Sequence, residues 1–403
     1  MLERGTPAVG PRLLTRSFSV LLVAQACFGY AFSSFFLLPK YLVLALSASP
    51  EQIEYVTATH GVAAVVLLPL MGAAVDRFGR RGFLTAGALV MAAASLGFVF
   101  VDSVGPLIYA LRAVQALAFA MAFAAGAALA VDEAPPERVG QAIGVFGLTF
   151  LSMNFVAPTV VEEVAARVDW STAFATAAGG ALLCAALSRR IRESRGKPDG
   201  GEEVPGLLEV ARRPSQLRIL LIIGLVGTGW CAIFWFHQPY ALELGIERLR
   251  SFFISYAVVA ITVRVGFGHL MDRWGHRRVS LLALALYAGV VLAVVELRAI
   301  GLAAIGAGMG VAHGVFYPAF NAVAVDEAGA RERGKVMALF QAAFNVGFSG
   351  GAVGFGLLAA RAGYPAVFKT AAGCLLVALL LLLASPEGRR PDLRGDQSQG
   401  GAS

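Results

Sequence analysis

Charge and cysteine are both scarce in this chain. Of its 403 residues, 15% are Asp, Glu, Lys or Arg and four are cysteine. So little charge excludes an ordinary soluble domain, in which about a quarter of residues are charged. Cys27, Cys184, Cys231 and Cys374 all fall inside apolar runs and never at CxxC spacing, which argues against a disulfide framework or a zinc site. HExxH and the phosphate-binding loop are missing as well, so common metal and nucleotide chemistries have no foothold. No cofactor and no metal is expected.

Apolar length is what the chain has instead, with 58% hydrophobic residues. A bilayer-spanning helix takes about 20 apolar residues. About twelve such runs are present, at 17–39, 52–73, 82–101, 104–131, 138–161, 171–188, 217–239, 251–271, 279–297, 299–324, 335–359 and 366–385. Lipid offers backbone groups no partners, so the expected fold class is an all-α membrane protein with 12 transmembrane helices. Arg4, Arg12 and Arg16 before Phe18–Gly29 give the N-terminus a signal-like look. The apolar run continues to Leu38 without a cleavage site, and reads as an uncleaved first span.

The net charge of +7 marks topology rather than a nucleic-acid partner. About two dozen of the 33 Lys and Arg fall in the two ends and in alternate loops, as the positive-inside rule expects. The opposite loops carry mainly acids, among them Glu51, Glu54, Asp102, Glu162, Glu163, Glu243 and Glu247. The expected plan is a cytoplasmic tail at 1–16, a six-helix bundle at 17–188 and a cytoplasmic linker at 189–216. A second six-helix bundle follows at 217–388, then a cytoplasmic tail at 389–403. Within the linker, Pro205–Arg213 is expected to form a short amphipathic helix.

Two loops carry the same pattern. Gly72–Ala73–Ala74–Val75–Asp76–Arg77–Phe78–Gly79–Arg80–Arg81 returns 196 residues later as Gly268–His269–Leu270–Met271–Asp272–Arg273–Trp274–Gly275–His276–Arg277–Arg278. Gly72 and Gly268 suit close helix approach, and Gly79 and Gly275 suit a turn at positive φ. Asp76 sits at the end of its helix where the dipole disfavours an anion, so it needs a cation or another helix N-terminus. The halves match elsewhere: Ala130–Val131–Asp132–Glu133 recurs as Ala324–Val325–Asp326–Glu327, offset by 194, and Phe146 pairs with Phe340. Several matches at one offset indicate duplication, giving two pseudo-symmetric bundles of six helices.

With these motifs the chain resembles the major facilitator superfamily, a transporter family of nested repeats. The loop fits the family's Gly-x-x-x-Asp-Arg-x-Gly-Arg-Arg signature, and Leu111–Arg112–Ala113–Val114–Gln115 resembles its second motif, although Ala116 stands where Gly is usual. Ala157–Pro158 only partly matches the Gly-Pro motif associated with antiporters. Gly310–Val311–Ala312–His313–Gly314–Val315–Phe316–Tyr317–Pro318 resembles a branch of bacterial members regarded as efflux permeases. The resemblance implies a charge network of Asp76, Arg80 and Asp132, with Gly72, Arg77 and Gly79, closing against span eleven. By pseudo-symmetry Asp272, Arg277 and Asp326, with Gly268, Arg273 and Gly275, would do the same near span five.

Intramembrane polar groups avoid lipid and mark interior cavities. Spans three, six, nine and twelve nearly lack them, so the third helix of each triple is expected to face lipid and the first to line a central cavity. The candidates for substrate or coupling are Gln25, Arg112, Gln115, Asn154, His237, Gln238, Arg264, His313, Tyr317, Asn321 and Asn345. Arg112 either binds an anion or couples transport, or else bonds carbonyls or Asn154. Arg264 either functions or snorkels to the surface. His313 either carries protons or packs by hydrogen bonding; His60 is a weaker candidate. Glu162 and Glu163 read as solvated. Gly306, Gly310 and Gly314, and Gly350 and Gly354, read as close-packing faces.

The expected function is secondary active transport of a small organic solute (anionic, zwitterionic or neutral) by alternating access. It is expected to be proton-coupled efflux, by a monomer in a bacterial inner membrane with both termini cytoplasmic. A proton-coupled uptake symporter is the alternative. A polytopic membrane enzyme or a channel would be a rival of another class, against which the internal duplication speaks. Catalytic residues are not expected.

Overall fold

The structure, a computed structural model, describes residues 14–135, 138–193, 207–266, 273–297, 301–327 and 332–385. Gly268, Asp272, residues 194–206 and most of the two tails lie outside the described residues, as does the side chain of Asp76. The described secondary structure is helical throughout. The first six long helices are α1 (Arg16–Leu46), α2 (Pro50–Phe78), α3 (Arg80–Phe100), α4 (Pro106–Asp132), α5 (Val139–Arg167) and α6 (Trp170–Ser188). A short helix, Leu207–Arg212, lies in the linker where an amphipathic turn is expected. Then come α7 (Pro214–Glu243), α8 (Arg250–Gly266), α9 (His276–Glu296), α10 (Gly301–Asp326), α11 (Arg333–Ala362) and α12 (Tyr364–Leu383). Ten of these, all but α2 and α8, are long and apolar enough over their described residues to cross a bilayer.

Side chains fix the ends of several helices. At α2, Ser49 Oγ accepts from the Gln52 amide at 3.3 Å while Gln52 Oε1 accepts from the Ser49 amide at 2.9 Å. This reciprocal box satisfies two otherwise orphan donors. At α6, Asp169 accepts from the Thr172 amide at 2.6 Å, and that bond holds its carboxyl below the usual carboxylate range. The motif glycines turn the chain between α2 and α3 and between α8 and α9. Gly79 has φ +107° and Gly275 has φ +82°, a region that side chains with a Cβ rarely enter.

Two long helices change winding part-way. α1 tightens into a 3-10 turn at Ser34–Leu37, whereas α7 loosens into a π turn at Ala232–Phe236. The two lie at related places in the two halves.

Helices α1–α6 pack among themselves, as do α7–α12; the two sets meet where α2 crosses α11, where α5 crosses α8 and at the ends of α1 and α7. Small residues permit the closest crossings. A Cβ at Gly306 or Gly310 would run into the backbone of α8 at Phe252 or Tyr256, and one at Gly347 would overlap the Gly224 carbonyl of α7. The expected Gly306–Gly310–Gly314 face is therefore a packing face. Gly72, Gly350 and Gly354 are not: nothing described lies within 4 Å of a Cβ placed there. On α11 the backbone contact is made one helical face away, by Gly347 and Gly351.

The expectation about layers needs correcting as well. α1 and α7 are the most buried of the ten spans, but the least buried is α5 rather than a third helix. α9, expected to face lipid, also walls a cavity.

Candidate functional site

The turns at Gly79 and Gly275 lie on one face of the molecule, called here the loop face; the ends of α1, α5 and α7 define the far face. The far face is shut by polar contacts between the two halves. Within the first half, Lys40 Nζ at the end of α1 lies 2.6 Å from Glu162 Oε1 on α5, and both reach across to the second. The same carboxylate oxygen accepts from the Leu249 amide, just before α8, at 2.8 Å, and Lys40 also donates to the Glu247 carbonyl. Gln238 Nε2 on α7 donates to the Phe36 carbonyl on α1 at 2.7 Å, and Arg250 lies 3.0 Å from Glu163. Glu162 is 6% exposed, so the expectation of a solvated acid is overturned. Neither Lys40 nor its pairing was legible, because the partners are 122 positions apart.

On the loop side a cavity of about 530 Å³ lies between α5, α8, α9 and α10. Its walls are mainly apolar, with Leu148, Val279 and Leu286 among them, and its polar groups are Arg264, Tyr317 and Asn321. Three candidates are thus brought together. Tyr317 donates its hydroxyl proton to Gln341 Oε1 at 2.6 Å, which fixes the ring and leaves its oxygen as an acceptor.

The other candidates lie apart from this cavity. Arg112, 3% exposed, donates to Gln115 Oε1 one turn along α4 at 2.7 Å. Asn154 does not bond it; that side chain accepts from Ser33 at 2.8 Å. Gln25 is buried, and neither its Oε1 nor its Nε2 has a partner among the described residues. His60 is buried 5.5 Å from the Phe32 ring, within an aromatic cluster that includes Phe119 and Phe150. His237 Nδ1 lies 2.5 Å from the Ile233 carbonyl. His313 shares a 2.7 Å hydrogen bond with Tyr256 and stacks on Trp230 at 4.0 Å. Asn345 is half-buried on α11.

The loop face carries the expected charge network in part. Arg80 pairs with Asp132 and donates to the Ala128 carbonyl at 3.2 Å. Arg77 is exposed, its guanidinium 5.2 Å from the centre of the Phe78 ring. In the second half the described partner of Asp326 is His276 at 3.2 Å, not Arg277. Arg277 donates to carbonyls at the end of α12, Leu382 and Leu383 at 3.1 Å each, and to that of Ser385. The reason is register: His276, not Arg277, stands 196 positions after Arg80. Arg273 is exposed.

The sequence profile of the Major Facilitator Superfamily matches residues 20–295 and 251–401. The chain belongs to the Major Facilitator Superfamily. It is a transporter and not an enzyme. Of solved structures, the nucleoside transporter NupG superimposes on this facilitator with a TM-score of 0.75 at 12% identity, covering 92% of this chain and 99% of that one. The human organic anion transporter MFSD10 does so with 0.68 at 16%, covering 91% and 99%. A peptide transporter of the POT family gives 0.74 at 14%, covering 91% and 93%. At such identities these share the fold. A curated relative is the Bicyclomycin resistance protein homolog of Haemophilus influenzae, 28% identical over 152 residues. The match spans 37% of this facilitator and 38% of that relative's length.

Proposed function

We propose that this facilitator exports a small organic solute across a bacterial inner membrane by alternating access, driven by protons. The observation that carries this reading is the far-face closure set against the cavity on the loop side. Lys40, Glu162 and the Leu249 amide join the halves at one face while about 530 Å³ stands empty towards the other. A carrier needs this asymmetry and its reverse in turn; a channel needs neither. The Lys and Arg bias supports a cytoplasmic loop face, which makes the loop-side cavity the loading side in this reading. The name of the Haemophilus influenzae relative favours export, and an anionic, zwitterionic or neutral solute suits the intramembrane guanidinium groups of Arg112 and Arg264. Such groups are costly in hydrocarbon unless paired or hydrated.

An untargeted comparison of cells with and without the protein tests it. Export predicts a solute depleted inside and enriched in the medium, with the difference abolished by a protonophore. Accumulation inside would instead establish the uptake alternative, and a chemically altered product would mean an enzyme.

A further inference from the structure

The cavity beside Arg264 has a shape and chemistry that narrow the substrate. Over their described residues α8 and α9 make little contact with each other, and each packs on α10 instead. The cavity is the gap left between them, floored by Val311, Val315 and Pro318 of α10 and walled by Leu282 and Leu286 of α9. It is therefore a groove at the seam where α8 meets α5, with Gly144 and Leu148 of the first half on its remaining side. Its outer lip, at exposed Leu282 and Leu286, adjoins the bilayer.

Its polar groups sit at one end. Arg264 comes fourteen residues after the start of α8 at Arg250, and Tyr317 and Asn321 lie one turn apart on α10, towards the loop face. Among the described residues Arg264 has neither a hydrogen bond nor an ion pair, and its buried Nε is unsatisfied. The first half has nothing comparable, since Leu68 holds the corresponding position. An unpaired guanidinium in an apolar groove is expensive unless something anionic joins it. Three further facts shape the fit. The Tyr317 hydroxyl, already donating to Gln341, offers only its oxygen, which suits a protonated or hydroxyl-bearing neighbour of the anion. The Asn321 amide can donate beside it. The rest of the described lining is hydrocarbon apart from the Trp274 indole, and offers a second charge on the ligand no partner.

Resting on the export reading, we propose that the substrate is an amphipathic organic monoanion that enters from the membrane between α8 and α9. Its carboxylate or sulfonate is held by Arg264, and its apolar body lies along Leu282, Leu286, Val311 and Val315. The planar guanidinium takes such a head in two parallel hydrogen bonds. About 530 Å³ accommodates one molecule of drug size, since ligand pockets run about 300–1,000 Å³.

Trp274 lines the same groove and reports on it. The full chain, in discs of zwitterionic lipid, is titrated with 12-bromododecanoate and separately with 12-bromododecanol, reading bromine quenching of tryptophan. The Trp274→Phe variant isolates the signal of that ring from those of the other three tryptophans. The anion is expected to quench saturably and the alcohol only as a lipid-partitioned background. Arg264→Gln should weaken the anion by about ten- to a hundredfold, the worth of a charge-assisted bond, and Arg264→Lys should recover part of it. Equal binding of acid and alcohol, or full binding by Arg264→Gln, overturns the assignment. So does quenching by the anion that never saturates. Spin-label distances across the far face read the transport cycle without reference to this groove. If they still switch while the anion fails to bind, the substrate class falls and the carrier reading stands; if they do not switch, the carrier reading itself falls.

Discussion

Lys40 and Glu162, 122 positions apart in sequence, form a buried ion pair at 2.6 Å whose carboxylate also takes the Leu249 amide of the second half. Removing one member of a buried pair leaves the other charge uncompensated, at about 3–5 kcal/mol. A carrier can relieve that cost by opening the face and hydrating the orphan. Lys40→Met and Glu162→Gln are each expected to raise the far-face-open population by at least about tenfold. Electron-spin distance measurements between labels on the far ends of α1 and α7 would show it. Unchanged distributions in both variants would remove the pair from the gate.

Arg112→Ala is expected to cut transport by about tenfold or more, the scale of one charge-assisted bond, while the protein still inserts and folds. The lost contact is the bond to Gln115. Transport assays in vesicles, normalised to the amount in the membrane, decide it. Wild-type rate and pH dependence would make Arg112 structural.

His313→Gln tests a different point. Its ring is held by Tyr256 and stacked on Trp230, so the expected cost is about 1 kcal/mol of stability, seen as a lower melting temperature. The pH profile of transport should be unchanged between about pH 5 and 8, where an unperturbed imidazole titrates. A flattened profile would mean that the ring carries protons.

The loop-face network is expected to favour the closed loop face. Asp76→Asn should raise the population with that face open and slow turnover, with less effect on affinity; the Arg80–Asp132 pair lies within the first half and is intact beside the loop-side cavity, so Asp132→Asn should leave that balance unchanged. Labels on the loop-face ends of α2 and α11 would report the shift. A distance distribution identical to wild type in Asp76→Asn would separate the motif from gating.

Acid should weaken the cap of α6. The folded-state carboxyl of Asp169 lies below its ordinary range because of the Thr172 amide. Its contribution is therefore complete above the unfolded value of about 3.9 and is lost as pH falls through the lower folded value. Thermal melts of wild type and Asp169→Ala should differ at neutral pH and converge below about pH 4. A constant difference across that range would mean that the cap works without its charge.

The fold was legible because a bilayer leaves a chain few choices: about 20 apolar residues must run uninterrupted, and duplication repeats them in register. Helix ends were less so. The run predicted at 52–73 is helical over Pro50–Phe78, since the helix continues past the apolar stretch to the Gly79 turn. At the site, residue type was informative and neighbourhood was not. Arg264, Tyr317 and Asn321 stand out as polar residues in apolar runs, and the structure unites them. Lys40 and Glu162 look like loop charges because each is near a span end; only their packing across helices reveals a buried pair. Likewise the choice of His276 over Arg277 for Asp326 depends on one residue of register.

The 3-10 turn of α1 and the π turn of α7 limit how far the duplication can be used as a map. A 3-10 stretch advances with three residues per turn, and a π stretch takes more than the 3.6 of an α-helix. Ser34–Leu37 is thus overwound and Ala232–Phe236 underwound, and beyond these points the two ancestral copies rotate out of phase. On the loop face the copies keep recognisable counterparts, Gly79 with Gly275 at 196 positions and Asp132 with Asp326 at 194. On the far side the same arithmetic lands on a side chain facing a different neighbour. There the two copies have been free to specialise: Lys40 on α1 found a carboxylate, and Gln238 on α7 found the Phe36 carbonyl.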